Sequence, residues 1–425
     1  MPTIDYSYLR PKKAEALKKR YDAEFIKRKS LSVWSGENAV VLPLKKFEGD
    51  NLLFGRGGVI DKHGQYVDMS AINKRVCGKY EFSNPQYDDS TVVYCGYLVN
   101  HWGHFLVEAV ARLWYFLEND NAVDKYVFFI EENAHREIRG NYKIFLELLG
   151  IWNKIEIICT PTRYAKVIVP ELAYSWRSYY SEQYKNIFQR IISNSSPDPS
   201  WIPFEKVYLS RSKLAKANGL EFGLDALDDF FERNGYVLLF PEQLPLQQLI
   251  FYIRNSKICA SLSGSLPHNF LFAEDEQKVI IVERIVFNNE IQVDVNTAKN
   301  LDVTYIDANI SLYSTNMSGP FILGYNKQLQ KFAESYQMLP PSKKYLSKYY
   351  LFSCFKKYMK AYRKEYSYRF FMEDWYTGFA DCIWEAYKES YIMFSDYLSG
   401  NKPFLPIHYF QWHYLKQFIK RILKR

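Results

Sequence analysis

No Asp-x-Asp triplet occurs anywhere in the 425 residues of this chain. The paired carboxylates through which many enzymes hold a divalent cation against a diphosphate are therefore missing. The seven histidines show no zinc spacing, since His101 and His104 have no third ligand nearby. The six cysteines (77, 95, 159, 259, 354, 382) are scattered. That excludes a cysteine-rich metal or disulfide framework and fits a reducing cytoplasm. Cys95, Cys159 and Cys259 lie in apolar, strand-like runs, where buried thiols are expected. No run of about 18 apolar residues is present, and the polar amino terminus lacks a leader-like apolar stretch. The expectation is a cytoplasmic chain that does not cross a bilayer. GRGG (55–58) lacks the third glycine of a dinucleotide turn, and SLSGS (261–265) is not a nucleophile elbow. Internal repeats and low-complexity tracts are also absent.

Acid is scarce at the carboxyl end, where no Asp or Glu follows Asp396, and nine Lys/Arg fall in the first thirty residues. The net charge of +8 is thus concentrated rather than spread. Many of the 36 Tyr and 30 Phe lie in the last hundred residues, which suggests an interface or a membrane surface. Segment 343–364 interleaves Lys343, Lys344, Lys348, Lys356, Lys357, Lys360, Arg363 and Lys364 with Tyr, Phe and Leu. The last fifteen residues set Lys416, Lys420, Arg421, Lys424 and Arg425 beside Trp412, Leu415, Phe418, Ile419 and Leu423. Such basic, aromatic helices suit an anionic membrane surface, at about 1 kcal/mol per basic residue near it. They equally suit a helical flange packed on the rest of the protein. The tail lacks the sheet aromatics of an RNA module, so nucleic acid is not an expected partner.

What is present is most informative over 206–283. KVYLSRSK, FFERNGYVLLFPEQLPLQQLIFYIRNSKICASLSGSLPHNFLF and KVIIVE alternate short Val/Ile/Leu/Tyr runs with segments of helical spacing. This pattern predicts half of a doubly wound α/β domain, with ligands in loops beyond the carboxyl ends of the strands. Upstream, 38–60 and 90–98 read as strand-rich, 104–118 as one helix, 126–130 and 155–159 as strands, and 141–150 and 180–194 as helices. The Ser/Pro-rich stretch 193–203 is the best domain boundary. The expected organisation is a basic amino-terminal helix (1–36), a first α/β domain (37–195), a second (204–325) and a helical extension (326–425). A cleft between the two α/β domains is a natural ligand site.

Polar residues gather at the loop positions of that second domain. Ser210, Arg211 and Lys213 follow one strand, Glu242 the next, Ser263, Gly264 and Ser265 the third, and Glu283 ends the fourth. Arg211 and Lys213 suit a diphosphate, the former bidentately and the latter as a point charge. The start of a helix near 266–273 favours an anion. Glu242 and Glu283 suit ribose hydroxyls, or equally loop bracing. In the first domain, NHWGHFLVEAVARLWYF (100–116) sets His104 and Glu108 one turn apart on one helix face. A carboxylate beside an imidazole suits a general base; the same pair also occurs as ordinary core polarity.

Taken together, these segments resemble glycosyltransferase family 61, including its bacterial capsule and lipopolysaccharide relatives. The match runs through Ser210-Arg211, Pro241-Glu242, the loop SGSLPHN (263–269), Glu283 and NHWGHFLVEAVARL. Gly264 and Asn269 keep the family's loop pattern, whereas its histidine is Ser263 and its alanine Ser265; His268 lies five residues on. The resemblance implies two Rossmann-like domains of GT-B type and an inverting, metal-independent transfer without cofactor. A nucleotide sugar, UDP-linked, is the implied donor, and a glycan or lipid-linked glycan at the inner membrane face the acceptor. Glu108 would act as base with His104 orienting it and His101 on the acceptor side. Ser210, Arg211, Lys213, Glu242, Ser263, Gly264, Ser265, Asn269 and Glu283 would hold the donor. A non-catalytic nucleotide-sugar or glycan-binding protein, and a phosphoryl or polyol-phosphate transferase, are the competing readings.

Overall fold

The computed structural model describes residues 2–365 apart from 50–51, 53, 73–74, 120–122, 216, 218, 286–289 and 312–318. The stretch 366–425, including the basic aromatic tail, lies outside the described residues. Among the described residues no helix is long and apolar enough to cross a membrane.

Two β-sheets organise the chain. The first has seven strands, with Arg56–Ile60, Val40–Lys45, Thr162–Pro170, Gln86–Tyr97, Lys125–Phe129 and Ile155–Ile158 in spatial order. Val33–Glu37 pairs antiparallel with Thr162–Pro170 off that path. Pairings are parallel from Thr162–Pro170 through to Ile155–Ile158 and antiparallel on the other side. KYVFF (125–129) is buried at four of its five positions, as a parallel strand covered on both faces must be.

The second sheet is wholly parallel. Its order is Thr3–Tyr8, Asp302–Asp307, Lys278–Glu283, Ile258–Leu262, Lys206–Leu209 and Val237–Leu239. From Lys206–Leu209 the chain steps outward to Val237–Leu239, then returns to the opposite flank at Ile258–Leu262. That reversal is a topological switch point, where loops diverge and leave a crevice. Residues alternate between its faces. Val207, Cys259, Val279, Ile281 and Val303 join the large core shared with the first sheet. Tyr208, Ala260, Ile280, Val282 and Ile306 enter a smaller core beneath the helices Leu224–Arg233 and Lys327–Ser335.

Several expectations needed correction. Residues 1–36 are not a single basic helix. Thr3–Tyr8 is the edge strand of the second sheet, and only Pro11–Tyr21 is helical, with Pro11 at its first turn. The amino-terminal segment therefore belongs with residues 204–325. Residues 195–205 do lack helix and strand, but the two units share one core, across which Phe272 packs edge-on to Phe145 and Phe188. Cys159 is half-buried rather than buried.

The single helix expected over 104–118 is broken. Trp102–Val107 is α-helical, Glu108 departs from helical geometry (φ −124°, ψ −54°), Ala109–Arg112 is a 3-10 turn, and Trp114–Asn119 resumes the helix. Arg112, 1% exposed, gives the reason. Its guanidinium donates to the carbonyls of Pro170 (2.9 Å), Met69 (2.7 Å) and Ala71 (3.0 Å). Three such bonds to distant backbone outweigh the helical bonds forgone at the break.

The helix Lys348–Glu365 begins the carboxyl extension. Leu351, Cys354, Tyr358 and Tyr362 bury one stripe, while Lys357, Lys360 and Lys364 stay exposed. Tyr358 and Tyr362 are thus covered by protein, whereas Tyr349 is exposed.

Candidate active site

The loops that follow the strands of the second sheet open on one edge, because every strand of that sheet points the same way. After Lys206–Leu209 come Ser210 and Arg211. Ser210 donates to Asp228 Oδ1 (2.6 Å), and the Ser212 N–H donates to Ser210 Oγ (3.1 Å), which ties the loop to the following helix. Burial pushes the Asp228 carboxyl up, with Ser210 and Ser212 opposing.

Arg211 does not stand open to solvent. Its Nε lies 3.1 and 3.0 Å from the two Glu221 oxygens, and Nη2 lies 2.7 Å from Oε1. Arg284, directly after the strand Lys278–Glu283, donates from Nη1 to the same Oε1 at 3.1 Å. Two buried guanidiniums therefore share one carboxylate, leaving the trio one positive charge in excess. Burial pulls Arg284 down to about 10, with Glu221 opposing and Arg211 adding to the fall.

That charge lies directly under the Ser/Gly loop. Arg284 Nε donates to the Ser263 carbonyl (2.6 Å), and its backbone N–H donates to Ser263 Oγ (3.0 Å). Gly264 has φ +127°, and a Cβ there would lie 2.8 Å from Arg284 Nη2. Only glycine combines that backbone with so close a guanidinium. The turn that follows, Leu266–Phe272, is a buried seven-residue 3-10 helix and not the α-helix expected, so little dipole charge accumulates there. Positive potential at this loop comes from arginine.

Lys213 and Glu242 stand exposed at the rim, the former with its ammonium 5.9 Å from the Phe240 ring centroid. Partial burial raises the Glu242 carboxyl, and Arg211 pulls the other way. Glu283 is placed differently from its expected ribose-facing position. It is 2% exposed and lies 3.1 Å from the Lys13 ammonium, closed in by the amino-terminal helix. Burial raises it, and Lys13 opposes.

The first unit meets this loop at the start of Trp102–Val107. Trp102 Nε1 donates to Asn269 Oδ1 at 2.9 Å, and His101 Nε2 lies 3.4 Å from Ser265 Oγ. A Cβ on Gly103 would sit 2.7 Å from Ser265 Cβ and 2.9 Å from His268 Cδ2. His268 is buried, with Nδ1 2.8 Å from Gln292 Oε1; burial, helped by His104 and His101, lowers it to about 4. It is a neutral packing group that does not reach over the Ser263 loop.

Glu108 falls at the helix break and is buried. Its Oε2 lies 2.9 Å from His104 Nδ1 and accepts from Arg75 Nη1 at 3.0 Å. Arg75 Nη1 is also 3.0 Å from His104 Nδ1. We assign the Nδ1 proton to the carboxylate, since arginine nitrogens cannot accept it. Oε1 is buried and accepts no hydrogen bond from the described residues.

Of the residues expected at the site, His101, His104, Glu108, Ser265 and Asn269 gather at the junction, while Ser210, Arg211, Ser263 and Gly264 are buried at the carboxyl edge of the second sheet. Arg75, Glu221 and Arg284 were not anticipated. Arg284 had a signal, as the residue after a strand ending in a site loop; Arg75 lies in AINKRVCGKY, which has no periodicity to place it. Among the described residues no group of three or more His, Cys, Asp or Glu stands together as a metal site.

Residues 102–280 match the model of the Glycosyltransferase 61 family, so this α/β protein is a glycosyltransferase. The likeness to glycosyltransferase family 61 is carried by that segment. The matched segment carries Glu108, Arg211, Glu221 and the Ser263–Asn269 loop, whereas Arg75, Glu283 and Arg284 lie beyond it. No curated protein matches the chain.

Proposed function

We propose that the enzyme inverts the anomeric centre of a nucleotide sugar, UDP-linked, as it passes the sugar to a hydroxyl of a growing surface polysaccharide or lipid-linked glycan. In this reading the two sheets are the halves of a GT-B enzyme, and the second unit holds the donor. The observation that carries it is the meeting of Glu108, through the Trp102–Val107 helix, with a loop backed by the Arg211–Glu221–Arg284 trio.

The acceptor O–H bond breaks as its proton passes to Glu108 and its oxygen bonds to the anomeric carbon. The bond from that carbon to the diphosphate oxygen breaks, and the electron pair leaves with the nucleotide. The excess charge of the arginine trio, reinforced by Lys213 at the rim, stabilises that leaving group. It acts from a desolvated position where electrostatic contacts are strong. Removing one such contact typically costs about 2.7–4 kcal/mol in the transition state.

Screening a panel of nucleotide sugars by thermal stabilisation selects the donor, because a ligand of the native state raises its melting temperature. Glu108→Gln should then bind that donor normally and release nucleotide only at a small residual rate with acceptor present. Wild-type turnover by Glu108→Gln sinks the assignment. Donor binding without nucleotide release by the wild-type protein would favour a binding module instead.

A further inference from the structure

We propose that Arg75 is a positioning residue of the transfer reaction, selecting Oε1 of Glu108 as the oxygen that takes the acceptor proton; the inference rests on Glu108 being the base. The two carboxylate oxygens are not equivalent. Oε2 is engaged by Arg75 Nη1 and His104 Nδ1, at 3.0 and 2.9 Å. Oε1 is equally buried and accepts nothing from the described protein. A carboxylate so held cannot rotate to exchange its oxygens without giving up two charge-assisted bonds.

Arg75 is itself fixed. Its guanidinium carbon lies 5.4 Å from the Trp176 ring centroid and 5.9 Å from that of Phe54. Its carbonyl accepts from the backbone N–H of Phe54 (3.0 Å) and Gly55 (3.3 Å), and its own N–H donates to the Ile72 carbonyl (3.0 Å). Two aromatic neighbours and three backbone bonds make a rigid mount, which is what a base needs to stay in line with its proton. Arginine stays protonated and neither gives nor takes a proton in the reaction. Its contribution is to hold Glu108 in place. Arg75 comes from the strand-poor segment 68–76, not from the family-matched residues, so this enzyme completes its base from outside that segment.

The test uses the full-length enzyme with the nucleotide sugar selected above, and Arg75→Ala, Arg75→Lys, Glu108→Gln and Arg75→Ala/Glu108→Gln. Displacing a catalytic group by an ångström costs about a hundredfold in rate, so Arg75→Ala should lower kcat by about that factor while donor KM changes less than about twofold. Added guanidinium chloride at low concentration should recover part of the rate in Arg75→Ala and none in Glu108→Gln. The double variant should be no slower than Glu108→Gln, because both lesions strike one unit. An unchanged kcat in Arg75→Ala, or a rate loss that guanidinium does not relieve and that multiplies with Glu108→Gln, overturns the inference while leaving the base reading intact. If Arg75→Ala does not fold, Arg75→Lys decides: reduced kcat at unchanged donor KM supports the role, and wild-type kcat rejects it. Full activity in Glu108→Gln rejects the base, and the role of Arg75 with it.

Discussion

Trp102 donates its indole N–H to Asn269 across the junction of the two units, at 2.9 Å, and Asn269 in turn donates to the Leu266 carbonyl at 2.8 Å. Asn269 is fully buried, so this two-bond relay fixes the Trp102–Val107 helix against the Leu266–Phe272 turn. Asn269→Ala removes both bonds, each worth about 0.5–1.5 kcal/mol. A lower melting temperature and a reduced kcat are expected together, measured by calorimetry and nucleotide release. A variant that melts normally would show that the junction does not depend on the relay.

Glu221 is the only carboxylate that the described residues place against both Arg211 and Arg284. Glu221→Gln should destabilise the protein by about 3–5 kcal/mol, the cost of stranding buried cations. Saturating nucleoside diphosphate should narrow the gap to wild type, since an anion then supplies the missing charge. An equal gap with and without nucleotide would place the diphosphate elsewhere.

At Gly264, alanine meets both an unfavourable backbone and the Arg284 guanidinium. Gly264→Ala should weaken donor binding in thermal-shift titrations and also lower the melting temperature of the free protein, because the buried loop must shift to admit the methyl group. Unaltered donor affinity would separate this loop from the donor site.

Two buried groups should give opposite pH responses in one window. His268 is lowered to about 4 by burial, so its contribution to stability is present above about 6.5 and is lost as pH falls through about 4. Asp294 is raised to about 6 by burial, opposed by the Arg177 N–H and Arg20; its contribution is present below about 3.8 and is lost as pH rises through about 6. His268→Gln should therefore lose less stability than wild type on going from pH 7 to pH 4, and Asp294→Asn should lose more. Denaturant melts at the two pH values measure both differences. Parallel curves for all three proteins would contradict the burial of these side chains.

Residues 401–425 lie outside the described structure, and their basic aromatic composition still predicts an anionic-surface contact. Full-length protein should sediment with phosphatidylserine vesicles at low salt and be released at high salt, while a chain ending at residue 400 should stay in solution. Equal sedimentation of both would assign the contact to another part of the protein.

The second unit was legible because its short Val/Ile runs end in polar residues, and a parallel sheet sends all those ends to one edge. That logic placed Ser210, Arg211, Ser263 and Gly264 together. It could not show that Arg211 is engaged by Glu221, since a side-chain pair ten residues apart across a loop leaves no periodic trace. Glu108 and His104 were found by helical spacing. The break at Glu108 was invisible, because it is imposed by Arg112 reaching carbonyls of residues 69, 71 and 170. Glu283 went astray for a related reason: Lys13, which closes it in, is 270 positions away.

The pairing of Thr3–Tyr8 with Asp302–Asp307 bears on how the enzyme is made. An edge strand leaves the ribosome roughly three hundred residues ahead of the strand it must join, so the six-stranded sheet cannot be finished until most of the polypeptide has emerged. Through that interval an unpaired β-segment and its basic helix are available for wrong partners, which makes newly synthesised chains a natural client for chaperones and makes amino-terminal fusions a hazard for soluble expression.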